Sequence, residues 1–377
     1  MTRVAFHVDQ VFYRVPGGIG TYVRELVPAL RAADPTLDLT LFHARFDRPP
    51  EPWMREFSVV ALRQRIRALY PAWALAGRPA LPRAVAAASV IHAPSPAGVP
   101  PAGSRQRLVV TVHDVAFLVH PRLFPPTWRA MFRVGLRRAA RTADAVLVPS
   151  RSTADDVTGL AGVDPDRVRV IPLAATLPRT SADPDDILRR VRVPRPFALF
   201  VGTLEPRKNL VRLVRAYRRA VAASNLPHAL VLAGPLGWGA EPLHRELRSP
   251  GPGNVVLTGP ASPELLDALY QRADVFLYPS MYEGFGLPIL EAMARGVPTV
   301  VSTASSLPEV AGDAALSVDP LSVDRLTEAM TQVLTNAEEA RRLAEAGRRR
   351  AAGYSWERTA RETLTAYDDI IARKGEE

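Results

Sequence analysis

Short apolar runs separated by helix-length segments recur along this chain, and they fall into two sets. The first set lies at residues 4–8, 37–42, 90–92, 108–112, 145–148 and 168–171. The second lies at residues 197–201, 229–233, 255–258, 275–278, 299–301 and 315–318. Runs of this kind predict parallel strands joined by crossover helices. Two sets predict two doubly wound α/β domains of similar build. The 377 residues suit two domains, and a hydrophobic content of 47% supplies material for two cores. A proline- and aspartate-rich stretch at residues 172–196, with a short helix inside it, is the expected linker. The helix after residue 201 is marked by Leu210, Leu213, Val214, Tyr217 and Val221 at helical spacing, with Arg212, Arg215, Arg218 and Arg219 opposite. A second long helical stretch near the C-terminus breaks around Gly353-Tyr354-Ser355-Trp356 and resumes from Glu357.

Composition narrows the options. The longest apolar candidate, residues 71–91, is broken by Arg78, Pro79, Pro82 and Arg83, so no membrane-spanning helix is expected. His7 and Asp9 interrupt the first apolar run, so no secretion signal is expected and a cytoplasmic location is. Cysteine is absent, which excludes disulfides, thiolate metal sites and cysteine nucleophiles. The net charge of +10 is carried almost wholly by arginine, with lysine only at Lys208 and Lys374. A basic surface attracts nucleotides, acidic lipids and nucleic acid alike, so charge does not choose among them.

Ligands of open α/β sheets bind beyond the carboxyl ends of the strands, so the chemistry is sought in the loops that follow them. The run at 275–278 leads through Ser280, Tyr282 and Glu283 into Gly284-Phe285-Gly286-Leu287-Pro288 and then a helix. Pro288 suits a first helical turn. The two glycines permit close backbone approach, and amides at a helix start form an anion cradle. Glu283 precedes the cradle and Glu291 lies in the first turns beyond it, with seven residues between them. Either glutamate alone reads as ordinary solvated polarity. The pair around a strand, glycine loop and helix reads as a binding site for hydroxyl groups. After the run at 197–201 come Gly202, Thr203, Leu204, Glu205, Pro206, Arg207, Lys208 and Asn209, and Arg207 and Lys208 are expected to begin a helix. A leaving diphosphate needs fixed cations or a metal. Lys208 is the sole lysine before residue 374 and stands where such a cation belongs.

The pattern Ser-x-Tyr-Glu-Gly-Phe-Gly-Leu-Pro-x-Leu-Glu-Ala-Met-Ala-x-Gly-x-Pro over 280–298, with Phe200 to Leu210 and Leu307-Pro308-Glu309-Val310, resembles the retaining GT-B glycosyltransferases of family 4. Its Glu-Pro-Arg-Lys-Asn variant is most similar to bacterial mannosyltransferases of polysaccharide assembly. The resemblance implies an α/β GT-B fold, two Rossmann-like doubly wound domains facing across a cleft. It implies an acceptor-side domain at 1–182, a donor domain at 183–356, and a last helix, about 357–377, packed back on the first domain. It carries donor-sugar contacts to Glu283, ribose contacts to Glu291, and backbone contacts to Gly284, Phe285, Gly286 and Leu287. Donor contacts also fall on Gly202, Thr203, Arg207 and Lys208. Many members have arginine directly after the glycine, where this chain has Thr203, and Arg207 is inferred to substitute for it. Base contacts are expected in the loops near Gly234–Pro235 and 259–261.

In the first half, Pro16-Gly17-Gly18-Ile19-Gly20-Thr21 is by itself only a glycine turn before an amphipathic helix. The resemblance places Gly18 and Ile19 against the donor. It places His113 beside the transferred sugar as a catalytic residue, together with Lys208 and Glu283, and Asp114 on the acceptor side. The residues alone also allow a loop histidine and a helix-capping aspartate. Arg129, Arg133, Arg137, Arg138 and Arg141, interspersed with Trp128, Phe132 and Leu136, form a basic amphipathic helix. Such a helix suits either an anionic membrane, with peripheral contact at the inner face of the plasma membrane, or plain solvent.

Asp164-Pro165-Asp166 and Asp183-Pro184-Asp185 match a metal-binding Asp-x-Asp string, but they stand in proline turns and read as helix starts. The expected function is transfer of a hexose, first of all from GDP-mannose with UDP- and dTDP-sugars open, to a glycan, lipid-linked or small-molecule hydroxyl. No cofactor, metal or nucleic-acid partner is expected. The alternatives are a nucleotide-sugar epimerase on the same fold and a non-catalytic nucleotide-sugar binding protein.

Overall fold

The computed structural model describes residues 2–177 and 181–373. The chain divides into two compact units, Met1–Leu173 with Ser355–Glu377, and Ala174–Tyr354. The second unit includes the short helix Pro184–Arg190. Its Asp185 accepts from Arg272 Nε at 3.1 Å and from Arg195 at 3.0 Å. Part of the expected linker, residues 178–180, lies outside the described residues.

Among the described residues, the first unit contains seven parallel strands: β1 (Arg3–His7), β2 (Asp38–His43), β3 (Ser58–Ala61), β4 (Val90–Ala93), β5 (Arg107–Thr111), β6 (Ala145–Val148) and β7 (Val168–Val170). Their order is β3-β2-β1-β4-β5-β6-β7. The second unit contains β8 (Phe197–Val201), β9 (Ala229–Ala233), β10 (Val255–Gly259), β11 (Val275–Tyr278), β12 (Thr299–Ser302) and β13 (Leu316–Val318), ordered β10-β9-β8-β11-β12-β13. Strands β4, β6, β9 and β11 are buried along their whole length. Helices cover both faces of such sheets, which is why these strands are continuous apolar runs rather than alternating ones. Strand β3 has no counterpart among the expected runs. It is an edge strand with exposed ends, Ser58 and Ala61, so its two valines make no run long enough to stand out.

In each unit the strand order reverses once, between β1 and β4 and between β8 and β11. A crevice opens at the carboxyl ends of the strands at such a point. The loops after β8 and β11 therefore start side by side, since the two strands pair in parallel through Val275–Ala198 and Phe276–Leu199.

Local signals start the helices. Ser150, Ser262, Ser322 and Ser355 each accept from an amide three residues on. Asp164 and Asp183 cap in the same manner two residues on, so both Asp-Pro-Asp strings are helix starts. The basic helix Pro126–Thr142 buries Gly135, Leu136 and Ala139. Two of its arginines are tied to carbonyls of their own unit, Arg129 to Pro121 and Arg138 to Val99. Trp128 and Met131 remain exposed on it. No helix among the described residues is long and apolar enough to cross a membrane.

The last helix, Trp356–Ala372, packs in the first unit against the helix Gly17–Ala33 and β5. Ala360, Thr363, Tyr367 and Ile370 form its buried stripe. Tyr367 extends a chain of polar contacts through this core. Its hydroxyl lies 2.5 Å from His92 Nδ1, His92 Nε2 lies 2.7 Å from Thr111 Oγ1, and Thr111 Oγ1 lies 2.9 Å from the Tyr22 hydroxyl. The contacts supply partners that a buried imidazole needs. Burial, and then the charge of His113, pushes His92 down to about 3. The unfolded chain takes up this proton near pH 6.5, whereas the folded state refuses it. Stability from His92 is thus whole above that pH and declines by about 1.4 kcal/mol per pH unit below it, until His92 itself titrates. Urea melts at stepped pH are expected to show a shallower acid decline for His92→Gln than for the wild type between pH 6.5 and 4.

Candidate functional site

Strand β8 ends at Val201, and the chain runs through Gly202 to Glu205 into a single tight turn, Pro206–Lys208. Arg207 and Lys208 do not begin the following helix as expected, but close the turn ahead of it. Asn209 adopts a left-handed conformation, φ +62°, and separates the turn from the helix Leu210–Ser224. Asparagine tolerates that conformation better than most residues. Its side-chain amide donates to the carbonyls of Pro279, at 3.1 Å, and Pro320, at 2.6 Å. The Met281 amide donates to the Arg207 carbonyl at 2.9 Å. The turn is thereby braced against the loop that follows β11, and two consecutive cations are aimed at one target.

That target is Glu283. It is 6% exposed, so it is not a solvated loop residue. Its Oε1 accepts from Lys208 Nζ at 2.5 Å and its Oε2 from Arg207 Nη1 at 2.8 Å. Lys208 also donates to the Tyr278 hydroxyl at 2.8 Å and sits 5.0 Å from the centre of that ring. Arg207 also meets Glu205 and the carbonyl of Tyr282. Burial acts to raise the Glu283 carboxyl, but Arg207 and Lys208 outweigh it and hold the group below the usual carboxylate range. Burial lowers the Lys208 ammonium, and the like charge of Arg207 adds to this against the opposing pull of Glu283. Removing one partner from a buried pair of this type strands the other charge, at a cost of about 3–5 kcal/mol.

The glycine loop leads from Glu283 into the helix Leu287–Ala294, with Pro288 in its first turn. Gly286 stands at φ +105°, and a Cβ there would meet Leu307 Cδ2 at 3.0 Å and Ile289 Cδ1 at 3.1 Å. The Glu283 amide donates to Ser305 Oγ at 2.8 Å, and Ser306 Oγ donates to the Glu283 carbonyl at 2.8 Å. The loop after β12 thus holds the cradle in shape. Glu291 is 8% exposed, and the Tyr270 hydroxyl donates to its Oε2 at 2.8 Å. Gly202 and Thr203 lie at the carboxyl end of β8, and the loop after β9 is stitched to them. The Leu204 amide donates to the Pro235 carbonyl at 2.9 Å. A Cβ on Gly234 would lie 2.1 Å from the Gly202 carbonyl oxygen, so that approach requires glycine. The Gly234 amide in turn donates to the Gly259 carbonyl at 2.9 Å. The second unit therefore gathers Gly202, Thr203, Arg207, Lys208, Glu283 to Leu287 and Glu291 around one switch point.

In the first unit, Gly18 and Ile19 lie inside the first turn of the helix Gly17–Ala33, not in a turn preceding it. The Gly20 amide already donates to the Pro16 carbonyl, which closes the first helical turn around them. Gly18 is exposed and Ile19 half-buried. His113 and Asp114 follow β5 and are half-buried. Asp114 accepts from the Ala116 amide at 3.0 Å, at the start of a short helix. The Pro94 carbonyl accepts from the His113 ring, while Nε2 is buried and has no hydrogen-bond partner among the described residues. Burial pushes His113 down to about 4, against the opposing effect of Asp114, so the ring is neutral near pH 7. The edge of Tyr22, on the same helix as Gly18, packs on the His113 ring at 4.7 Å and 78°.

Several neighbours of these residues carried no functional mark in the sequence. Glu205 and Asn209 flank the two cations in the motif, and that adjacency was the available signal. Tyr270, Tyr278, Ser305 and Ser306 come from other elements and had none. Among the described residues, no group of three or more histidine, aspartate or glutamate side chains is placed to hold a metal ion. Gly286→Ala is expected to lower the stability of the second unit by about 1–3 kcal/mol through backbone strain, read as a fall in melting temperature.

The profile of the family described as Glycosyl transferases group 1 matches residues 189–350, and that of Glycosyltransferase Family 4 matches residues 16–179. The O-antigen chain mannosyltransferase B of Escherichia coli is 32% identical, over 97% of this chain and 99% of its own length. The MMP alpha-(1->4)-mannosyltransferase of Mycolicibacterium hassiacum is 34% identical, over 63% of this chain and 57% of its own. Among solved structures, sucrose-phosphate synthase from Thermosynechococcus elongatus superposes with a TM-score of 0.76 at 21% identity, covering 99% of this chain and 100% of that one. Anabaena HepE in complex with UDP and glucose superposes with a TM-score of 0.73 at 18% identity, covering 100% of both chains. At these identities the structural matches speak for the fold.

Proposed function

The chain belongs to the group 1 glycosyl transferases, and from that membership we propose that it moves mannose from GDP-mannose to a glycan hydroxyl, with retention at the anomeric carbon. The observation that carries the donor site is the buried Glu283 carboxylate, gripped by Lys208 and Arg207 where the strand order of the second sheet reverses. The choice of mannose rests on the Escherichia coli mannosyltransferase, similar over nearly the full length of both chains.

In this reading Glu283 accepts hydrogen bonds from hydroxyls of the donor sugar, and Glu291 from the ribose. The amides at the start of the helix Leu287–Ala294 and the Lys208 ammonium face the diphosphate. Gly202 and Thr203 line the same donor region. In the first unit, Gly18, Ile19 and His113 are assigned to the donor and its transferred sugar, and Asp114 to the acceptor side. A neutral His113 can exchange one hydrogen bond through Nε2 without adding charge.

The bond from the anomeric carbon to the phosphate oxygen breaks. A bond from that carbon to the acceptor oxygen forms on the same face. The acceptor proton passes to the departing phosphate oxygen, so nucleoside diphosphate and glycoside leave with atoms and charge balanced. No enzymic nucleophile is needed. The charge that develops on the diphosphate is met by Lys208 and helix amides, which supports a reaction without a metal. A charge-assisted hydrogen bond contributes about 1.5–3 kcal/mol, or about one to two decades in rate.

A thermal-shift screen with GDP, UDP, dTDP and ADP is expected to show the largest stabilisation by GDP. Preference for another base would remove GDP-mannose as donor. NMR of the first product formed is expected to show the anomeric configuration of the donor, and the inverted configuration would overturn retention. Glu291→Ala is expected to reduce kcat/KM for the nucleotide sugar by about tenfold or more, with the fold intact by circular dichroism. Release of nucleoside diphosphate at full rate without any acceptor would favour an epimerase instead.

A further inference from the structure

Arg207 and Glu283 are joined to a third buried charge. Glu205 is 5% exposed, and its Oε1 accepts from Arg207 Nε at 3.0 Å and lies 3.0 Å from Nη2. On its other edge, Arg207 Nη1 donates to Glu283 Oε2 at 2.8 Å and to the Tyr282 carbonyl at 3.0 Å. The guanidinium is therefore clasped between two carboxylates and a backbone carbonyl, and its rigid planar fork transmits orientation from one carboxylate to the other. Lys208 is differently placed. An ammonium has three donors, and Glu283 and Tyr278 take two of them. If Arg207 turned to a phosphate, Glu205 would be left buried without its cation and Glu283 would lose one of two. Both are situations that buried charges resist.

We propose that Glu205 and Arg207 are positioning residues that fix the plane of the Glu283 carboxylate for the hydroxyls of the donor sugar, and that Lys208, not Arg207, meets the diphosphate. This rests on the donor-site reading above, and it reverses the expectation that Arg207 replaces a phosphate-binding arginine absent at Thr203. Glu205 thereby acquires a part in sugar recognition without touching the sugar.

The test compares Glu205→Gln, Arg207→Lys, Lys208→Gln and the wild type in two measurements. One is calorimetric titration with the free nucleoside diphosphate that best stabilises the wild type. The other is initial-rate kinetics with the corresponding nucleotide sugar. Glu205→Gln and Arg207→Lys are expected to keep diphosphate affinity within about threefold while kcat/KM for the nucleotide sugar falls about 30-fold. Lys208→Gln is expected to weaken diphosphate binding by about tenfold or more. General loosening of the fold does not produce that split. If Arg207→Lys does not fold, Glu205→Gln decides alone. Removing the Glu205 charge frees a phosphate-seeking arginine, so tighter diphosphate binding by Glu205→Gln would overturn the proposal. So would diphosphate binding weakened by Arg207→Lys as much as by Lys208→Gln. Failure of the wild type to bind any of GDP, UDP, dTDP or ADP would instead overturn the donor site itself, and the proposal with it.

Discussion

The contact of Lys208 and Arg207 with Glu283 is the interaction on which the second unit is organised. It joins the loop after β8 to the loop after β11, the two strands on either side of the point where sheet order reverses. A buried carboxylate is costly unless cations and hydrogen bonds surround it. Here those partners come from a turn only three residues long, Pro206–Lys208. That turn is placed by Asn209, which bonds forward to Pro279 and Pro320. The site and the bracing of the carboxyl ends of these two central strands are thus the same set of contacts.

Around this knot the supports are backbone ones. Ser305 and Ser306 grip the main chain of the glycine loop, Gly286 supplies a dihedral that other residues resist, and Gly234 allows the β9 loop to lie on Gly202. The first unit is arranged on the same principle with different chemistry. There the buried polar chain is nearly neutral, running from Tyr367 through His92 and Thr111 to Tyr22. It ends against His113. The last helix of the chain therefore contributes to the interior beneath that histidine, although Tyr367 is remote from it in sequence.

Most of the architecture was legible in the sequence. All twelve expected apolar runs overlap strands, because buried parallel strands must be apolar on both faces. The missing one, β3, has only two apolar valines between exposed Ser58 and Ala61, too short a run to stand out. The glycine cradle and Pro288 were legible because each answers a local backbone demand. The first turn of the helix Gly17–Ala33 was misread as a loop, since glycine signals a turn wherever packing does not contradict it. The helix start at Arg207 was misread for the converse reason. Nothing in the string reveals that Asn209 is left-handed, because its bonds go to carbonyls about 70 and 111 residues away.

What the sequence determined by itself is the periodicity of the two sheets and the residue types at their loop ends, both consequences of local chemistry. What only the tertiary structure decided is the pairing of those residues. Glu283 reads in sequence as one acid before a glycine, and Arg207 as one cation among many. That Arg207 lies between Glu205 and Glu283, with Lys208 on the other oxygen, depends on β8 and β11 being neighbours in the sheet. Strand order is set by how long-range burial closes the core, and burial of that kind leaves no mark on the residues a few positions away.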